Sequence, residues 1–71
     1  MEPETTPSLW RLPRVSLETG CARSTIYDAL RVGKFPRPVR LGARTVAWSS
    51  AEVRAWIAAK LAERDAQGGV R

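Results

Sequence analysis

Arg23, Ser24, Thr25, Tyr27, Asp28 and Arg31 lie within one nine-residue stretch, and on a helix all six point away from Ala22, Ile26, Ala29 and Leu30, which recur at spacings of three and four. The chemistry open to such a face is hydrogen bonding and charge pairing, not bond making. A major groove about 12 Å wide admits one α-helix and shows it a distinct donor and acceptor pattern at each base pair. Short side chains at the start of the helix let its backbone come close. Ser24 and Thr25 fit that role, since either hydroxyl can donate to a phosphate oxygen and the Thr25 methyl can touch a thymine methyl. Tyr27 offers a ring for sugar or base edges and a hydroxyl for phosphate, while Arg23 and Arg31 can each grip guanine or the backbone through two N–H groups. A second reading of the same residues makes Tyr27 a half-buried core aromatic and makes Ser24 and Thr25 caps of the helix start, a role compatible with contact to DNA.

The cations continue beyond this helix. Residues 20–48 hold Arg23, Arg31, Lys34, Arg37, Arg40 and Arg44 against Asp28 alone, a net +5, whereas residues 1–19 come to −1 and residues 49–71 to +1. Charge concentrated in this way points to a polyanionic partner. Arg44 is the candidate for a neighbouring minor groove, whose narrow A·T-rich segments concentrate negative potential, with Lys34, Arg37 and Arg40 tracking phosphates. Five or six cations, each neutralising one phosphate, give a log–log salt slope of about −4.5 to −5.4.

Other chemistries find little support. The chain has 71 residues and buries only about 60% of the surface its unfolded form exposes, too little to enclose a deep enzyme cleft. It has no histidine and one cysteine, Cys21, which leaves no internal disulfide, argues against a zinc site and offers a thiol nothing to activate it. The acids Glu18, Asp28, Glu52 and Glu63 are scattered without pairing, and there is no glycine-rich phosphate loop. No cofactor is expected. Neither a signal-peptide pattern nor an apolar run of membrane-spanning length is present, so the reading is a cytoplasmic protein without a membrane partner.

The elements that must position these residues read as a small α+β fold. Residues 1–8, with two prolines and two glutamates, read as a disordered arm; residues 9–66 as the domain, begun by Trp10; and residues 67–71 as a flexible tail. Pro13 suits a first helical turn, with Leu12, Val15 and Thr19 on one side and Leu17 off it. Gly20 stops this helix, and Cys21 plugs the turn. The second helix spans Arg23 to Arg31 and ends at Gly33, after which Phe35-Pro36-Arg37-Pro38 must be extended, with Phe35 as a core anchor. Val39-Arg40-Leu41 and Thr45-Val46-Ala47-Trp48 read as a hairpin around Gly42-Ala43-Arg44, with Val39, Leu41, Val46 and Trp48 facing the core. Ser49 and Glu52 then form a capping-box pattern ahead of a longer helix with the stripe Val53, Trp56, Ile57 and Leu61, which should run to about Asp65 and stop at Gly68-Gly69. Its far end, around Leu61, is a candidate contact for a second protomer.

With these residues laid out, the chain resembles the AlpA-like regulators of prophages and mobile elements, relatives of phage excisionases in the MerR-type winged-helix group. The matching pieces are Arg11-Leu12-Pro13 with Val15, Thr19-Gly20-Cys21, Arg23-Ser24-Thr25-Ile26-Tyr27, the run from Gly33 to Gly42, Arg44, Trp48, Glu52-Val53, Trp56 and Ile57, covering about residues 9–60. The resemblance implies a winged helix-turn-helix in which the helix of Ser24, Thr25 and Tyr27 reads DNA and the hairpin of Arg44 is the wing. It also implies a transcriptional regulator or, alternatively, an architectural factor directing excision, with RNA polymerase or a recombinase as further partner. Ala22 departs from the family's usual serine cap, a change that typically costs about 1 kcal/mol of helix stability. Asp28 stands where an arginine or lysine is common, so it either accepts from a cytosine amino group or sits away from the duplex. A different class, a protein-interaction module such as an antitoxin or adaptor working through the Trp56 to Leu61 helix, makes the basic patch incidental. Since a domain this small reads few base pairs, two or more copies on DNA are expected.

Overall fold

Val15, Ile26, Trp48 and Val53 are almost wholly shielded from solvent, and they come from three helices and one strand that meet around a single centre. The computed structural model describes residues 8–67. Along the chain run β1 (Leu9–Trp10), α1 (Leu12–Thr19), α2 (Arg23–Arg31), β2 (Val39–Arg40), β3 (Val46–Ser49) and α3 (Ser50–Ala66). The sheet is antiparallel, ordered β1-β3-β2, with Trp10 opposite Trp48 and Arg40 opposite Val46. Three helices on such a sheet, with a β2–β3 hairpin following the two short ones, make a winged-helix fold.

Strand β1 was not expected from the sequence, because two residues are too few to show a period. It makes β3 a central strand, and Trp10 closes the core beside Trp48. The expected arm over residues 1–8 lies outside the described residues except for Ser8. The Ser8 carbonyl accepts the Ser50 N–H at 2.9 Å, and the two hydroxyls meet at 2.8 Å.

Both helix ends of the α1–α2 pair are set by glycine. Gly20 has φ +73° and donates its N–H to the Ser16 carbonyl at 2.9 Å. Around it the Thr19 hydroxyl donates to the Val15 carbonyl and accepts from the Cys21 N–H, and the Ser16 hydroxyl donates to the Cys21 carbonyl, so Cys21 is fixed in place against the core. At the end of α2, Gly33 has φ +75°; its N–H donates to the Leu30 carbonyl and that of Lys34 to the Ala29 carbonyl, the paired bonds of a Schellman closure. Ala22 was expected to face inward, yet it is exposed. It is the N-cap of α2 with extended backbone, so its side chain does not follow the helical period, and no side-chain bond closes the cap.

The hairpin forms, but two of its expected core residues do not face the core: Val39 and Leu41 are 43% and 50% exposed. Val39 lies opposite Ala47 and Arg40 opposite Val46, so Val39 stands on the face away from Val46 and Trp48. Side chains alternate with a period of two, and a shift of one residue in register moves a whole strand's set to the other side.

In α3, Ser49 caps the helix by accepting the Glu52 N–H at 3.2 Å. Val53 is buried, and Trp56 and Ile57 pack on the core. The helix runs one residue beyond Asp65, to Ala66; the expected stop at Gly68-Gly69 lies outside the described residues. Every residue from Ala58 to Gln67 is exposed, Leu61 by 48%, so the distal half of α3 extends past the core.

Candidate nucleic-acid interface

The interface begins with α2, whose burial of Ile26 against Val15 and Trp48 turns Arg23, Ser24, Thr25, Tyr27, Asp28 and Arg31 outward. All six are exposed. Ser24 and Thr25 occupy the first turn, whose cap is not closed by a side-chain hydrogen bond. Tyr27, at 39% exposure, is half-packed: its ring meets Trp48 edge-on with centroids 6.5 Å apart, and the rest of the side chain is open. The Arg23 guanidinium lies 5.8 Å from the Tyr27 ring centroid, a cation–π placement that orders a long side chain on the exposed face.

Asp28 and Arg31 form an ion pair one turn apart. Both are 68% exposed, so the pair contributes little to stability. Its consequence is electrostatic: the one acid of the basic region is spent on Arg31. Arg31, foreseen to grip guanine or clamp the backbone, and Asp28 are thus paired with each other on the exposed face of α2.

The wing joins this face through Trp48. Because Arg40 lies opposite Val46, it stands on the same face of the sheet as Val46 and Trp48, the face on which Tyr27 packs. Arg40 therefore leaves the hairpin on the α2 side. Arg44 is exposed in the loop between β2 and β3, whose base is pinned by the Leu41 and Gly42 N–H groups, both donating to the Thr45 carbonyl at 2.7 and 3.2 Å.

Lys34 and Arg37 are placed differently. Lys34 shares a groove between α2 and α3 with Thr25, Asp28 and Trp56, so it borders the outward face of α2 from the other side. Arg37 lines a second groove with Glu52 and Ala55 of α3 and is the candidate residue least joined to that face. Among the described residues, Arg23, Lys34, Arg37, Arg40 and Arg44 have no acidic partner, whereas Arg31 has one.

The connector that carries Lys34 and Arg37 is held by two tryptophans. Trp48 donates its indole N–H to the Pro36 carbonyl, Trp56 donates to the Lys34 carbonyl, and Phe35 stands edge-on to both rings at 6.4 and 4.9 Å. Sequence reading assigned these tryptophans to the core and missed this role. Bonds spanning 12 and 22 residues leave no local signature, although each buried indole N–H requires a partner.

Among the described residues, no three His, Cys, Asp or Glu side chains are grouped to hold a metal ion, and no helix is long and apolar enough to cross a membrane.

Comparison with known proteins adds a third line. The pattern of the family described as prophage CP4-57 regulatory protein (AlpA) matches residues 8–61, a span that takes in every element of the fold except the last turn of α3. The uncharacterized protein ORF88 of Enterobacteria phage P4 is 48% identical over 54 residues, 76% of this chain and 61% of that protein. The chain thus spans under two thirds of that relative's length. The DNA-binding transcriptional activator AlpA of Escherichia coli strain K12 is 42% identical over 53 residues, 66% of this chain and 76% of that protein.

Proposed function

The chain belongs to the AlpA family of prophage regulatory proteins, and on that footing we propose that it binds double-stranded DNA sequence-specifically and regulates transcription from a prophage or mobile element. The observation that carries this reading is the Tyr27–Trp48 contact together with the Arg40–Val46 register, which ties the exposed face of α2 to the cationic side of the wing.

In this mechanism α2 enters the major groove. Ser24 and Thr25 bring its first turn close to base edges and phosphates, Arg23 reads or clamps from its stacked position, and Tyr27 packs against the sugar with its free edge. Arg40 neutralises a phosphate beside the groove, and Arg44 at the loop tip enters the adjoining minor groove. Lys34 takes the phosphates on the far side of α2, and Arg37 those farther along. Asp28 holds Arg31 and lowers the local positive charge, which tunes affinity downward. Two or more copies act together on DNA, with the exposed Leu61 end of α3 as the meeting point.

Footprinting on DNA around the gene and the element's attachment site tests this. Protection at a promoter by the wild type, weakened in Arg44→Ala, is the expected result. Protection confined to the attachment site would replace transcriptional control with direction of excision, and no preference over random competitor DNA would end the reading.

A further inference from the structure

Trp10, at the β1 edge, carries two guanidiniums: that of Arg14 from α1 lies 4.5 Å from the ring centroid and that of Arg54 from α3 lies 5.0 Å from it. The two cations are therefore no farther apart than the sum of those distances. Among the described residues one carboxylate answers them, Glu18, which takes the Arg14 Nε–H at 2.7 Å, and Arg54 has no acidic partner. Arg11, next in the chain to Trp10, is exposed, and the first turn of α1 holds no acid. None of these arginines belongs to the basic segment of residues 20–48.

Like charges gathered on one indole repel each other unless an anion joins them, and stacking against the ring leaves the in-plane N–H groups of a guanidinium free for a bidentate acceptor. We propose that Arg54 and Arg14 on Trp10, with the exposed Arg11 next to it in the chain, form a second phosphate-binding surface, which holds duplex flanking the segment gripped by α2 and the wing. β1 and β2 are the opposite edges of the sheet, so the Trp10 arginines and the wing lie to either side of β3. A duplex backbone is favoured over an acidic protein because this surface and the α2–wing face are then served by one continuous polyanion. The inference rests on the DNA-binding reading above.

The test uses the full chain on two duplexes carrying the footprinted site, one of about a single helical turn and one of about three turns. The double variant Arg11→Gln/Arg54→Gln should bind the short duplex as the wild type does. On the long duplex it should lose roughly tenfold in affinity, with a salt slope shallower by about 2. Arg11→Lys/Arg54→Lys, which keeps the charge, should restore that slope, and an unchanged melting temperature in the Gln variant separates loss of contact from loss of fold. Unchanged binding of the long duplex by the Gln variant, or equal loss on both lengths, overturns the proposal. If Arg44→Ala still weakens short-duplex binding in that case, the DNA-binding reading stands, and the arginines are left for an acidic protein partner.

Discussion

The indole N–H of Trp48 donates to the Pro36 carbonyl oxygen at 2.9 Å, and this bond fixes the chain between α2 and the wing to the central strand. Trp48 is fully buried, so Trp48→Phe strands an acceptor and leaves a gap; the expected loss is about 1–3 kcal/mol. Trp56→Phe removes the corresponding bond to Lys34 where water can replace it, for a loss of about 0.5–1.5 kcal/mol. Urea denaturation checks the order, and a larger loss at position 56 would contradict it.

Gly20 and Gly33 both have positive φ, and a Cβ added at either meets no atom within 4 Å. The cost of Gly20→Ala or Gly33→Ala is therefore conformational alone, about 1–2 kcal/mol. In a domain of this size that lowers Tm by at least about 4 °C. Asn, which tolerates the left-handed region better, should cost less at both positions in thermal unfolding.

Arg44 has no acidic partner among the described residues, so its removal breaks no ion pair. Arg44→Ala should weaken duplex binding and make the salt slope, about −4.5 to −5.4 in the wild type, shallower by about 0.9. Ser24→Ala should weaken binding with the slope unchanged, because a hydroxyl displaces no counterion. Melting temperatures equal to the wild type's in both variants would confirm that contacts, not folding, were lost.

Asp28→Asn releases Arg31 from its ion pair. Duplex affinity should rise and the salt slope steepen by up to about 0.9 as one more cation becomes available. Stability should stay within about 0.5 kcal/mol, since the pair is exposed. Weaker binding would show instead that Asp28 accepts a hydrogen bond from a base.

Leu61→Ser should leave the unfolding transition in place, because Leu61 packs on nothing in the core. Its expected effect is on the binding isotherm, which should lose cooperativity across adjacent sites. A stoichiometric titration giving one protein per site in the wild type would remove the role assigned to the end of α3.

Much of the fold was legible in the sequence. Gly20, Gly33 and the Ser49 cap punctuate the chain where the helices begin and end, and Val15, Ile26, Phe35, Trp48 and Val53 are buried as their spacing suggests. The faces of the hairpin were less legible. Alternation gives a period without a register, and the register came from pairing with β3, so Val39 and Leu41 turned outward while Arg40 joined the Trp48 side. Of the site, the outward set of α2 follows from helical spacing. The Asp28–Arg31 pair was available in the same spacing of three, a known helical neighbour distance, whereas the separation of Arg37 from α2 depends on how the connector packs against α3.

The stapling of Phe35 and its neighbours between two indoles means that the span from α2 to the loop tip has no slack. An added or deleted residue between Lys34 and Pro38 cannot be taken up locally; it would dislodge an aromatic ring or break an indole bond. The distance between α2 and the wing is thus inherited as a fixed gauge, and under the proposed DNA-binding function a new operator preference is open to this scaffold only through exchange of side chains on α2 or at the loop tip.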